Sequence, residues 1–221
     1  MKSNQTLKPF NHLTKIEGLF ICVRIEKMIP ANKKYNIIYA DPPWAYNGRN
    51  NKNTKFSLGV HGHYPVMTHK EICNLNVQDL ANKDCALFLW VTFPRLKEGL
   101  EVMNAWRFNY KTVAFNWFKT NKDGKTPFFG VGFYTKSNTE ICLLGIKGRM
   151  KPISNYISEV IIADELPNIA VVAKREKHSK KPEVVRDKIV ELFGDLPRIE
   201  LFARQETEGW DCWGNEVSKN I

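Results

Sequence analysis

Apolar residues along this chain fall into short continuous runs bounded by polar, proline- or glycine-containing stretches. Tyr35-Asn-Ile-Ile-Tyr-Ala40, Cys85-Ala-Leu-Phe-Leu-Trp-Val91, Thr112-Val-Ala-Phe-Asn-Trp-Phe118, Thr139-Glu-Ile-Cys-Leu-Leu-Gly-Ile146, Asn168-Ile-Ala-Val-Val-Ala-Lys174 and Arg198-Ile-Glu-Leu-Phe-Ala-Arg204 are such runs. Their length and their β-branched and aromatic content predict strands, the first of them covered on both faces. Between them the spacing turns helical. Thr68 with Glu71 makes a capping box that predicts a helix opening there and running towards Leu80. After Pro94, the residues Leu96, Leu100, Met103 and Trp106 recur at helical spacing, a stripe that reads as core packing. Pro182 stands in the first turn of a later helix with Val184, Val185, Ile189, Leu192 and Phe193 on its buried side, and Gly194 closes it. Strands alternating with helices predict an α/β domain with a mainly parallel, doubly wound sheet. Trp210-Asp-Cys-Trp-Gly-Asn-Glu216 reads as an aromatic-rich turn. Residues 1–33 lack a clear period and read as an N-terminal extension and linker, in which Phe20-Ile-Cys-Val-Arg-Ile25 reads as an extra strand or part of an edge. Residues 34–221 then form one domain.

The first run stops abruptly at Asp41-Pro-Pro-Trp44. Pro42 and Pro43 lack amide donors and fix φ, so strand pairing cannot continue through them. A carboxylate, a bare carbonyl and an indole are thereby offered at the carboxyl end of a strand, where ligands bind in open α/β sheets. The polar stretch Asn47-Gly-Arg-Asn-Asn-Lys-Asn-Thr-Lys55 reads as a flexible surface loop beside that place. His61, His63 and His69 follow, but without a nearby cysteine or carboxylate cluster they read as loop or substrate-facing residues, and no metal site is expected. Glu140 stands at the mouth of the fourth run, after Gly130-Val-Gly132. Lys174-Arg-Glu-Lys-His-Ser-Lys-Lys181 is the densest positive cluster. It reads as a solvated cap or, because cations oppose the macrodipole at a helix N-terminus, as the seat of a ligand anion.

Composition narrows the class. The chain has 221 residues, enough for one α/β domain with a full core. Lys and Arg number 33 against 23 Asp and Glu, a formal charge of +10, which favours a polyanionic partner. The five cysteines, Cys22, Cys73, Cys85, Cys142 and Cys212, are odd in number and contain no CxxC pair. That spacing suggests neither a disulfide framework nor a zinc site and implies a reducing compartment. No apolar run is long enough for a signal peptide or a membrane span, so a cytoplasmic location without membrane attachment is expected.

Asp41-Pro-Pro-Trp44, Tyr64-Pro-Val-Met-Thr68, Leu87-Phe-Leu-Trp-Val-Thr92, Glu140-Ile-Cys-Leu-Leu-Gly145, Ser179-Lys-Lys-Pro-Glu183, Glu200-Leu-Phe-Ala-Arg204 and Trp213-Gly-Asn215 occur in register over residues 35–216. In this the chain resembles the DPPW-type adenine N6-methyltransferases. The resemblance implies a Rossmann-like methyltransferase fold with the catalytic motif before the cofactor motif, S-adenosylmethionine as methyl donor, and nucleic acid as substrate. It also implies roles for individual residues. Asp41 and the Pro42 carbonyl would each accept a hydrogen of the adenine amine, whose lone pair is otherwise delocalised into the ring, and turn it towards the methyl group. Pro43 or Trp44 would pack on the base, with Tyr64 and Glu140 holding its edge. Lys181 would contact the cofactor or the catalytic centre and Glu200 the cofactor's ribose hydroxyls, while Arg204, Asn215 and Glu216 would meet its remaining polar groups. Two departures from the family pattern leave contacts to the cofactor's adenine unassigned: Gln205-Glu-Thr-Glu-Gly209, and the acidic cofactor-contacting residue expected upstream of the first strand, which has no obvious counterpart near Val23 and Arg24.

A base inside a duplex cannot reach such a pocket, so DNA would have to be flipped out or single-stranded. A compact basic domain without an appended RNA-binding module suits a DNA enzyme, with RNA as the alternative polymer. A non-catalytic partner subunit would predict a degraded acidic motif, which Asp41 to Trp44 contradict. The expected state is a monomer or homodimer, or a pair with another methyltransferase-like subunit.

Overall fold

β1 (Tyr35–Ala40) forms at the first apolar run and lies inside a seven-stranded sheet. The structure, a computed structural model, describes residues 33–45, 66–121, 126–130, 132, 134–159, 172–174 and 181–217. The other strands are β2 (Ala81–Val91), β3 (Asn109–Thr120), β4 (Thr139–Lys147), β5 (Val172–Lys174), β6 (Arg198–Leu201) and β7 (Asp211–Trp213). Their order is β5-β3-β4-β2-β1-β6-β7. β1 pairs in parallel with β2 and β6, β6 with β7, and β3 with β5. Among the described strands only β4 runs the other way, antiparallel to both neighbours. The sheet is therefore mainly parallel, as the sequence predicts, with one reversed strand that the apolar pattern does not distinguish. The cause lies in residues 121–138. A parallel return needs a crossover, usually helical, and this polar stretch with Gly130 and Gly132 has no helical period.

Alternation along the strands divides the core into two layers. Ile38, Ala40, Leu87, Leu89, Val91, Leu143 and Leu201 face one way and Ile37, Tyr39, Phe88, Trp90 and Cys142 the other. The first layer is covered by α1 (His69–Cys73) and α2 (Leu96–Ala105), which contribute Ile72, Val102 and Met103; the second is covered by α3 (Val184–Phe193), with Val185, Ile189 and Phe193. This is the doubly wound arrangement.

Several expectations are corrected in detail. The Thr68–Glu71 capping box forms, but α1 ends at Cys73 and is followed by a 3-10 turn at Val77–Asp79 instead of continuing to Leu80. Ile72 and Val77 are both fully buried, and a five-residue spacing puts them about 140° apart on a helix, so the chain breaks at Asn74 and Asn76 to bury both. In the predicted helical stripes, Leu100 and Val184 are 38% and 40% exposed, respectively. Arg186, in contrast, is buried. The stretch around Trp210 is not only a turn: Asp211–Trp213 pairs with β6 as an edge strand. Tyr64, His61, His63, the 47–55 loop, the 20–25 run, the start of the fifth apolar run and residues 175–180 of the basic cluster lie outside the described residues. No helix among the described residues is long and apolar enough to cross a membrane.

Candidate active site

The strand order reverses at β1. On one side of it the sheet continues outward through β2, β4, β3 and β5, all built before the chain returns to add β6 and β7 on the other. Asp41 follows β1 at its carboxyl end, at the switch point where such sheets bind ligands. The backbone amide of Asp41 still reaches the Leu201 carbonyl, and beyond it the chain turns. The amide of Trp44 donates to the Pro42 carbonyl at 2.9 Å, which fixes that carbonyl and leaves it a second lone pair. The turn is then stitched to the segment before α1: Met67 donates to the Pro43 carbonyl at 2.8 Å, and Ala45 to the Met67 carbonyl at 2.9 Å. Those bonds explain why a Val-Met-Thr stretch leads into the helix cap, since Met67 holds the proline turn while Thr68 starts α1. The Arg95 guanidinium adds a bond to the Ala45 carbonyl.

Trp44 is 6% exposed and donates its indole N–H to the Trp90 carbonyl at 3.1 Å. Its ring belongs to the core layer with Leu89 and Val91 and anchors the turn from below.

The reversal of β4 decides the place of Glu140. Its position at the start of an antiparallel strand puts it at the same edge as the carboxyl ends of the parallel strands, opposite Trp117 in register. There a chain of charges forms. The Lys181 ammonium donates to Oδ1 and Oδ2 of Asp41, each at 2.8 Å, and lies 3.1 Å from Oε2 of Glu140. Lys119 pairs with the other oxygen of Glu140. Lys181 also sits 5.5 Å from the centre of the Trp90 ring, and the Trp90 indole donates to the Tyr39 hydroxyl at 2.7 Å. Lys181 is therefore a buried member of the site, although it ends a cluster whose composition reads as surface.

Burial pushes the Asp41 carboxyl above its ordinary range, and the neighbouring Lys181 charge only partly offsets this. Burial opposes the charge of Glu140 too, but Lys181 and Lys119 together outweigh it and hold that carboxyl down at about 2. Lys181 is likewise desolvated, yet the Asp41 and Glu140 charges raise it above the ordinary lysine value. All three groups are thus coupled through one ammonium.

Glu200 lies opposite Tyr39 in the β1–β6 pairing. It is gripped by Arg186 of α3, with Nε to Oε2 at 2.7 Å and Nη2 to Oε1 at 2.8 Å. Burial raises the Glu200 carboxyl above its ordinary value, and Arg186 opposes that. After β6, Phe202 takes a left-handed backbone conformation, φ 62°, and Ala203 donates to the Trp213 carbonyl at 2.8 Å. Arg204 and Glu216 approach to 4.0 Å, and Asn215 and Glu216 are exposed at the rim. Gln205, in the stretch that departs from the family pattern, donates to Glu183 at 3.1 Å and so ties this rim to the start of α3. The structure thus gathers Asp41, Glu140 and Lys181 into one cluster and places Glu200, Arg204, Asn215 and Glu216 along the adjoining β6–β7 edge. Tyr64 lies outside the described residues. Sequence reasoning misses Arg186, Lys119, Tyr39 and Trp90; Arg186 lies inside the apolar stripe of α3, where a charge reads as solvated until Glu200 is found facing it.

Residues 35–216 match the MT-A70 family. The chain is 36% identical over 201 residues to the Type II methyltransferase M.MunI of a Mycoplasma species, a match covering 85% of this chain and 80% of that protein. It is 28% identical over 188 residues to an N(6)-adenosine-methyltransferase MT-A70-like protein of Arabidopsis thaliana, and 27% identical over 187 residues to the N(6)-adenosine-methyltransferase catalytic subunit METTL3 of Homo sapiens. Each of these covers 83% of this chain, but only 24% of the plant protein and 28% of the human one.

Proposed function

We propose that this chain, which belongs to the MT-A70 family, methylates the N6 amino group of adenine in DNA. The observation that carries the reading is the Lys181 ammonium seated on both Asp41 oxygens beside the fixed Pro42 carbonyl. A nitrogen that donates hydrogens is already accommodated at that carboxylate. Asp41 and Pro42 supply two acceptors on consecutive residues, one charged and one neutral, for the two hydrogens of an exocyclic amine. Accepting both draws the nitrogen lone pair out of conjugation with the ring and aims it. Glu140 and Tyr64 are assigned to the edge of the base, and Pro43 to packing against it.

The polar groups along β6 and β7 suit S-adenosylmethionine. Glu200 offers acceptors for ribose hydroxyls, Arg204 a cation for the carboxylate, and Asn215 and Glu216 acceptors for the ammonium. That cofactor, when bound, supplies an electrophilic methyl group on a sulfonium.

DNA is favoured because the chain is 36% identical to a Type II methyltransferase, against 28% and 27% to the two N(6)-adenosine-methyltransferases. The formal charge of +10 suits either polymer. RNA is the alternative, supported by the same adenosine-methyltransferase relatives, some of which are named as subunits, so pairing with a second methyltransferase-like chain is part of that reading. Labelled S-adenosylmethionine offered with matched DNA and RNA oligonucleotides decides between them. We expect label in DNA adenine, lost in Asp41→Ala. Label in RNA alone would transfer the function to the alternative, and label undiminished by the substitution would overturn the mechanism.

A further inference from the structure

We propose that Arg186 is a positioning residue for the cofactor site, holding the Glu200 carboxylate in one orientation so that it receives the ribose hydroxyls of S-adenosylmethionine. The inference rests on the reading of Glu200 as the ribose acceptor and adds a residue which that reading lacks.

The grip is two-pronged. Arg186 Nε and Nη2 bond separate oxygens of Glu200 at 2.7 and 2.8 Å, so the carboxylate can neither rotate nor swing away. Each oxygen spends one lone pair on the guanidinium and keeps another for a hydroxyl donor. The guanidinium rests over the Tyr39 ring, 5.6 Å from its centre, and Tyr39 is the β1 partner of Glu200 in the parallel register. Carboxylate and guanidinium therefore share the floor of the layer that α3 covers.

Stability does not account for this pair. Both side chains are nearly excluded from water, 7% and 8% exposed, and Arg186 Nη1 is buried without an acceptor. Apolar residues of similar volume would fill such a place at no loss of stability, so a buried ion pair with a spare donor points to a role in the site. Its position in the chain agrees. Lys181 and Arg186 are five residues apart, the first seated on Asp41 and the second, in the first turn of α3, on Glu200. One short segment thus carries both cations that set the two carboxylates at the carboxyl edge of β1 and β6.

The test uses the full chain with R186Q, R186K and E200Q. Equilibrium binding is measured for S-adenosylhomocysteine and for its 2′,3′-dideoxy analogue, which lacks the ribose hydroxyls. We expect R186Q to weaken S-adenosylhomocysteine about tenfold and R186K about threefold, since lysine cannot reproduce the two-pronged grip. Both penalties should vanish with the dideoxy analogue. In methylation assays KM for S-adenosylmethionine should rise while KM for the oligonucleotide stays within about twofold. Equal penalties for the two ligands would reduce Arg186 to general packing and overturn the proposal. So would an E200Q defect that R186Q does not share, which leaves Glu200 in its role and removes Arg186 from it. If E200Q binds both ligands like the parent, the ribose reading of Glu200 falls, and this proposal with it. Thermal unfolding identifies any variant that fails to fold; if R186Q does, R186K carries the comparison.

Discussion

Lys181 bonds both oxygens of Asp41 at 2.8 Å while remaining 3.1 Å from Glu140, so one ammonium joins a carboxylate that burial has pushed up to one that is held at about 2. The two carboxylates therefore respond differently to acid. Glu140 has a folded value below its ordinary 4.5, so its contribution to stability is complete above that pH and is lost as pH falls towards 2. Asp41 has the opposite sign, because its folded value lies above its ordinary one, and its protonation alone does not destabilise the fold. On acidification Asp41 loses its charge first, while Glu140 still holds Lys119 and Lys181. Methyl transfer should accordingly fail at a higher pH than folding does. Initial rates and thermal midpoints recorded over the same pH series check this; coincident acid limbs would show that Asp41 does not control the reaction.

Glu140→Gln removes the charge shared by two lysines, one of them 5% exposed at its side chain. Breaking a buried pair on one side costs on the order of 3 kcal/mol. The variant should be less stable by that amount in urea unfolding at neutral pH, and its loss of stability between pH 4.5 and about 2 should be smaller than the parent's, because the Glu140 share is gone. Lys181 retains Asp41 as partner, so the residual fold should keep the Asp41–Lys181 contact. A urea midpoint unchanged from the parent would mean that the lysines find water instead.

The outline of this site was legible in the sequence because its parts sit at strand ends and helix starts, where local chemistry and topology coincide. Asp41 could be placed from an apolar run ending in two prolines, and the Thr68 cap from its partner Glu71. Glu140 could not be placed by the same logic. It begins a strand, and the start of a parallel strand lies at the opposite edge from the site; only the reversal of β4 brings it to Asp41. Arg186 was hidden for a related reason. A charge inside an apolar helix stripe reads as solvated until its partner, 14 residues on in β6, is known to face it. Lys181 shows the limit of composition, since a residue in the densest basic cluster is only 7% exposed.

Trp44 separates two roles that its motif alone does not. Its indole N–H is spent on the Trp90 carbonyl at 3.1 Å and its ring is in the core, which makes it a support for the proline turn. Trp44→Phe leaves a buried carbonyl without that donor, a loss of about 1–2 kcal/mol. Because the turn holding the Pro42 carbonyl loosens, kcat should fall about tenfold with little change in KM for the oligonucleotide. If the indole instead packs on the base, the same substitution will raise that KM. Steady-state kinetics with thermal unfolding on one preparation distinguishes the two.

Gly214 is fixed by the backbone that passes it. A Cβ at this position would lie 2.0 Å from the Ala203 carbonyl oxygen and 2.6 Å from its nitrogen, and neither can give way as a flexible side chain would. The two segments are held together there by the bond from Ala203 to the Trp213 carbonyl at 2.8 Å. Gly214→Ala must therefore push the end of β7 away from Ala203 and carry Asn215 and Glu216, which we assign to the cofactor, with it. The core beneath β1 and β2 is untouched, so the expected destabilisation is moderate, about 1–3 kcal/mol. The expected loss of cofactor affinity is larger in proportion, about tenfold or more, and should appear as a raised KM for S-adenosylmethionine without a matching rise for the oligonucleotide. Equal rises in both would mean that the β6–β7 edge serves the polymer and not the cofactor, and would remove Asn215 and Glu216 from the roles assigned to them.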